Sequence, residues 1–318
     1  MMRRIDPMVR LLLLAIFLAT VLPVSGRWAA VAQFVSNAAV FLLFFLNGLR
    51  LPRREVIAGI GKWRLLLPLV LFVYAAMPVA GWLLWQGTGQ VLPPLLALGF
   101  LFLGTLPSTV QSATAYTSLA GGNVASSVVA AALLNILGVF ITAPLFSLLA
   151  GGHAAAFDGA GLIKVVTILL VPFALGQALQ GRLGGWIAEH RPLVSWMDRS
   201  SIAIAVYVAF SSAVRQGIWG RIDAPGWAGL AMACTALLVF GYGASWLLGR
   251  AIGLERGDRI AMTFAGAQKS IAMGAPLATV LFPPAAAGVI LLPTLAYHLA
   301  QLIVAAPLAA RLKAREAT

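Results

Sequence analysis

Charge is scarce in this 318-residue chain: Asp, Glu, Lys and Arg make up only 10% of it, against roughly 25% in ordinary soluble domains. So small a supply cannot cover a water-soluble fold of this length. Acid is the scarcer sign, 9 residues against 22 basic ones. Every Asp and Glu falls in a predicted loop or at the end of an apolar run, so an Asp/Glu proton relay at mid-membrane depth is excluded. Cysteine is limited to Cys234, which excludes an intramolecular disulfide and a cysteine metal cluster. Zincin, nucleophile-elbow and phosphate-loop motifs are also missing. What remains of enzyme chemistry is a Ser–Lys dyad, Lys269 with Ser108 or Ser112.

What the chain has in abundance is apolar length. Sixty-one per cent of its residues are hydrophobic, enough for close to ten spans of ~20 residues. The runs fall near 8–24, 28–48, 63–86, 91–120, 123–150, 161–186, 199–214, 226–252, 258–282 and 284–310. Residues 1–24 imitate a secretory signal, with three arginines before a 14-residue apolar stretch from Leu11 to Val24. Nine further runs make an uncleaved first span the better reading.

The net charge of +13 comes from basic residues spread singly or in pairs between apolar runs. Nucleic-acid binding, which needs a basic face on a folded domain, is therefore not expected. With ten spans, alternate loops and span ends carry seventeen and four basic residues, and Lys269 alone is buried deep in a span. That asymmetry places both termini in the cytoplasm, the bacterial inner membrane being the expected location.

Two runs are not simple spans. Residues 91–120 would be ~45 Å long as one helix, against a ~30 Å hydrocarbon core. Their middle reads Gly104-Thr105-Leu106-Pro107-Ser108-Thr109-Val110-Gln111-Ser112. The centre of 258–282 reads Gly266-Ala267-Gln268-Lys269-Ser270. These are the fourth and ninth spans, matching members of two five-span halves, and Thr142-Ala143-Pro144-Leu145 and Ala305-Ala306-Pro307-Leu308 close the next span in each. An odd count per half turns the second half upside down. Paired interruptions in inverted repeats point to a transporter site, because freed backbone groups are tolerated in lipid only where protein or water satisfies them.

The expected fold is thus all-α and polytopic, with ten transmembrane helices in two inverted repeats, 1–157 and 158–318. Candidate binding residues are Ser112, Thr114, Asn123, Ser127, Gln268, Lys269, Ser270 and His298. Lys269 is too deep to snorkel; its ammonium is costly there unless it finds partners or gives up its proton. Its alternative role is pairing with helix-end carbonyls of the other broken span. Asn123 suits a cap on the fifth helix, and Ser126 and Ser127 suit interhelical packing. His298 and Gln301 share one helix face at i and i+3.

Read together, the motifs resemble those of the bile acid:sodium symporter superfamily, in its SBF-like branch of sodium/bile acid cotransporter 7-like proteins. They run from Phe44-Phe45-Leu46-Asn47-Gly48-Leu49 through Leu106-Pro107-Ser108-Thr109-Val110, Gly121-Gly122-Asn123, Pro172-Phe173, Gly176-Gln177 and Asp198-Arg199-Ser200 with Tyr207. They continue in Gln268-Lys269-Ser270, Gly274-Ala275-Pro276-Leu277-Ala278, and Leu292-Pro293 through His298 to Gln301-Leu302. The resemblance implies a panel domain of spans 1, 2, 6 and 7 and a core domain of spans 3–5 and 8–10, with helices 4 and 9 crossing at their breaks. It also implies sodium at Ser112, Ser127 and Gln268, with no other cofactor. Phe264 stands where such relatives carry a glutamate. An ammonium within ~6 Å of sodium costs on the order of 3 kcal/mol at an effective dielectric of 20. Lys269 therefore either stands in a cation's place or releases its proton during the cycle.

The function expected is symport of a small organic, anionic solute by alternating access, coupled to sodium or protons, in contact with membrane lipid. The sequence leaves the oligomeric state open. The alternatives are a membrane regulator of calcium homeostasis and an intramembrane Ser–Lys hydrolase. Orientation is testable with Cys234 replaced: single cysteines in the 49–62 loop should resist labelling from outside intact cells, and cysteines near Gly87–Gln90 should label. The reverse pattern would refute the topology.

Overall fold

Proline and glycine set where the apolar runs become helices. The computed structural model describes residues 7–50, 60–151, 166–217, 220 and 222–314. The expected repeat boundary at 157/158, the start of the sixth span at 161 and most of the 49–62 loop lie outside them. Among the described residues all regular structure is helical.

The helices are α1 (Pro7–Val21), α2 (Arg27–Arg50), α3 (Trp63–Thr88), α4 (Pro94–Thr105), α5 (Gln111–Leu119), α6 (Val124–Ala150), α7 (Val171–Glu189), α8 (Arg191–Arg215), α9 (Ala224–Ala251), α10 (Arg256–Ala267), α11 (Ile271–Leu281) and α12 (Pro284–Ala314). Proline opens α4, α7, α8, α9 and α12 within their first two positions, where its missing N–H is one of the orphans in any case. Asp223 caps α9 by accepting from the Gly226 N–H at 2.9 Å. Inside α3, Pro68 is followed by a π-helical turn at Phe72–Ala76, one way a helix absorbs a lost hydrogen bond. Gly121, at φ +71°, makes the tight turn between α5 and α6.

Among the described residues six helices, α2, α3, α6, α8, α9 and α12, are long and apolar enough to cross a membrane. The other four expected spans differ for identifiable reasons. Helix α1 has only 15 residues, ~22 Å at 1.5 Å per residue. The fourth and ninth runs are each two helices, α4 with α5 and α10 with α11. The sixth begins outside the described residues.

The chain divides into two compact units. One contains α1, α2, α7, α8 and residues 274–291. Within it α2 and α7 meet at Gly48 and Gly176, and a Cβ on Gly176 would run into the Phe45 carbonyl and the Gly48 Cα. Around this crossing Gln177 donates to the Gly48 carbonyl, Arg50 pairs with Asp198, and Leu46, Leu49, Ile187 and Val194 form a buried cluster.

The other unit contains α3 to α6, α9, α10 and the C-terminal part of α12, with residues 271–273. Gly104 on α4 lets that helix lie against α3, since a Cβ there would sit 2.8 Å from the Met77 carbonyl. At one end of this unit the Ser126 hydroxyl donates to Asp258 at 2.6 Å and accepts from Lys62, tying the starts of α3, α6 and α10 together.

The α2–α7 contact makes a stability prediction. Gly176→Val should overpack the crossing, cost about 1–3 kcal/mol, and lower the melting temperature in detergent. An unchanged melt would show that the two backbones do not approach so closely.

Candidate functional site

Each helix break frees backbone groups that must be satisfied inside the protein, and here the two breaks satisfy one another. Helix α4 stops at Thr105 because Pro107 cannot continue its ladder, leaving terminal carbonyls without intrahelical donors. Lys269, fully buried in the gap between α10 and α11, donates from Nζ to the Gly104 carbonyl at 2.9 Å and the Leu106 carbonyl at 2.7 Å. These carbonyls carry the negative end of the α4 dipole, which favours a cation. The next residue continues the pairing, its backbone N–H (Ser270) donating to the Pro107 carbonyl at 2.9 Å.

The second break is closed from two sides. Tyr297 donates its hydroxyl to the Ala267 carbonyl at 2.6 Å. Gln301 brackets Lys269: its Oε1 accepts from the Lys269 N–H at 2.8 Å, and its Nε2 donates to the Lys269 carbonyl at 3.1 Å. The Ser270 hydroxyl accepts from the Met273 N–H at 3.2 Å and so caps α11.

Beside this seam lies a polar cluster. Gln268 Oε1 accepts from Ser112 at 2.5 Å and from Thr109 at 2.8 Å, and the two hydroxyls are 2.6 Å apart. The Gln268 Nε2 is buried without a well-formed hydrogen bond, although the Tyr242 hydroxyl is close enough to interact with the amide. Phe264, one turn earlier on α10, lies between Tyr116, stacked at 5.9 Å, and Tyr242, edge-on at 6.0 Å. The position that the resemblance matched to a carboxylate is therefore filled by packed rings.

The expected site residues fall into distinct groups. Ser112 and Gln268 are joined directly. Thr114 and Ser127 form a second pair, 3.5 Å apart, with Thr117 donating to Ser127 at 3.3 Å. Lys269 and Ser270 belong to the seam between the breaks. His298 touches it indirectly, its Nδ1 lying 2.9 Å from Gln301 Nε2. Asn123 is set apart: its Oδ1 accepts from the Ser126 N–H at 3.1 Å and its own N–H reaches the Gly257 carbonyl at 3.0 Å, the capping arrangement.

One expectation about Lys269 needs correction. Its Nζ bonds to carbonyls and not to a serine hydroxyl, while Ser112 is engaged by Gln268, so the Ser–Lys dyad is not formed. Sequence reasoning missed Thr109 and the role of Gln301. Thr109 stood in the quoted break, but its register against Gln268 depends on tertiary structure.

Removing single partners separates support from binding. Lys269→Ala should cost about 1–3 kcal/mol per unsatisfied carbonyl, and Ser270→Ala about 1 kcal/mol through the lost cap. Ser112→Ala and Thr114→Ala should melt nearly as wild type in detergent while weakening stabilisation by solute. Melting losses at Ser112 and Thr114 as large as at Lys269 would make them packing donors.

Residues 6–314 match the SBF-like CPA transporter family. The chain is 40% identical over 301 residues to "Uncharacterized protein PA2026" of Pseudomonas aeruginosa, covering 94% of this chain and 90% of the relative. It is 36% identical over 314 residues to "Putative symporter YfeH" of Escherichia coli, covering 98% and 94%. Identity to mouse "Sodium/bile acid cotransporter 7" is 25% over 292 residues, covering 88% and 83%. With matches across nearly its whole length, this integral membrane protein belongs to the SBF-like CPA transporter family and is a transporter, not an enzyme.

Proposed function

We propose that the protein is a secondary transporter of a small organic anion, working by alternating access, in which Lys269 takes the place of a coupling sodium ion. The observation that carries this reading is the placement of Lys269 Nζ on the Gly104 and Leu106 carbonyls. A half-helix C-terminus in a transporter is where a bound cation is ordinarily coordinated. Here a tethered ammonium occupies the carbonyls, so a metal ion would have to share them with a like charge at a cost of several kcal/mol. Phe264 adds to the argument, since an aromatic ring supplies no oxygen ligand.

Charge supports the choice of solute. Among the described residues no carboxylate pairs with Lys269, so its field acts on whatever binds nearby. The Gln268 Nε2 offers a donor without a well-formed bond, which matches a carboxylate or sulfonate acceptor on the solute. Ser112 and Thr109 would complete the polar side of the site, and the Tyr116–Phe264–Tyr242 rings its apolar wall. The names of the relatives, "Putative symporter YfeH" and "Sodium/bile acid cotransporter 7", support a carried solute. We place the transporter in a bacterial inner membrane with both termini cytoplasmic.

Uptake into proteoliposomes from a mixture of organic anions tests the proposal. Accumulation should be the same whether sodium or choline is the external cation, and Lys269→Ala should abolish it. Sodium-dependent uptake that survives Lys269→Ala would return the chain to ordinary sodium symport. No uptake of any anion, alongside altered calcium handling in cells, would favour the regulatory alternative.

A further inference from the structure

The clamp that Gln301 places on the ninth-span break contains its own protonation logic. Glutamine oxygen and nitrogen are ordinarily hard to tell apart. Here the main chain distinguishes them, because the Lys269 N–H can only donate and the Lys269 carbonyl can only accept. Oε1 must therefore face the N–H at 2.8 Å and Nε2 the carbonyl at 3.1 Å. One hydrogen of the Nε2 amide is used on that carbonyl, and the other points to His298 Nδ1 at 2.9 Å. A nitrogen that accepts this bond carries no proton, so the imidazole is neutral with its hydrogen on Nε2.

We propose that His298, acting through Gln301, is a proton-sensitive latch on the break between α10 and α11. A proton arriving at Nδ1 would set two donors against each other, N–H against N–H. Relief by turning the Gln301 amide would bring its NH₂ against the Lys269 N–H and its oxygen against the Lys269 carbonyl, so both clamp bonds would be lost. Protonation and the clamp exclude one another. The freed residue is the one whose side chain closes α4, and its neighbour Ser270 is bonded to Pro107. The latch therefore acts on both breaks.

Other titratable groups on this stretch bond main-chain carbonyls. Tyr242 on α9 bonds the Gln301 carbonyl, and Tyr116 on α5 bonds the Leu302 carbonyl. Tyr297 on the same helix bonds the Ala267 carbonyl, and the Cys234 thiol on α9 faces the Pro293 carbonyl. The Lys269 ammonium points away, its Nζ bonding the end of α4. Histidine is the side chain among these whose ordinary titration falls in the physiological range.

The latch does not depend on which solute is carried, and its test needs no transport. Purified full-length protein with ¹⁵N-labelled histidine, and with His153 and His190 replaced by glutamine, leaves one imidazole to read. At about pH 8 its signals should be those of the tautomer protonated on Nε2. Hydrogen exchange of the peptide covering residues 268–273, corrected for intrinsic rate, should rise roughly tenfold between about pH 8 and about pH 5.5. His298→Asn, which keeps an acceptor near the Nδ1 position but does not titrate, should lose that rise. A proton on Nδ1 at the higher pH, exchange that ignores pH, or an equal rise in His298→Asn would each overturn the proposal. Should His298→Asn not fold, the tautomer and the wild-type exchange profile still decide it.

Discussion

A membrane helix that stops halfway leaves donors and acceptors that lipid cannot satisfy, and the central feature of this protein follows from that constraint. Two helices stop, and the ends of one complete the other. The Gly104, Leu106 and Pro107 carbonyls receive Lys269 and the Ser270 amide, while Ala267 and Lys269 are completed by Tyr297 and Gln301. Once this exchange is fixed, the positions of Gln268, Ser112 and Thr109 follow from their places in the same two segments. Glycine makes the approach possible, as at Gly138, where a Cβ would strike the Pro107 ring.

The choice of a lysine at this seam has functional weight. A mobile ion can leave a half-helix terminus during a transport cycle, whereas an ammonium on a four-carbon stem stays attached to the chain. On the proposed reading the seam needs no dissociable ion, and coupling lies elsewhere. On the same reading the Gln301 clamp and its histidine neighbour provide a place where one proton changes the hydrogen-bond pattern. Polar groups held in a low-dielectric interior make such an arrangement effective, because an unpaired donor there is expensive.

Supporting contacts lie outside this centre within the same unit. The Lys62–Ser126–Asp258 tie joins three helix starts, and Asn123, which sequence placed among binding candidates, belongs to that structural end. A polar residue near a break can serve the helix it begins as readily as a ligand. The distinction rests on where its side chain bonds, and for Asn123 the partner is the first turn of its own helix.

Much was legible in the sequence. Scarce charge and long apolar runs determined a membrane protein, and Pro107 and the Gly266–Ser270 stretch marked both interruptions because proline cannot donate and a mid-membrane lysine cannot stand alone. Composition could not decide span lengths: α1 is shorter than its run, and the fourth and ninth runs became pairs of helices once their backbone ladders ended at Thr105 and Ala267. Nor could it decide which breaks and side chains face each other. Lys269 might have met a serine, a glutamine or a carbonyl, and only the tertiary approach of residues more than 160 positions apart selected the α4 terminus. His298 and Gln301 were visible as one helix face, but the role of that face depended on what lay opposite. Local pattern fixes which groups a segment offers; the packing of distant segments decides which of those groups meet, because hydrogen bonds are short and directional.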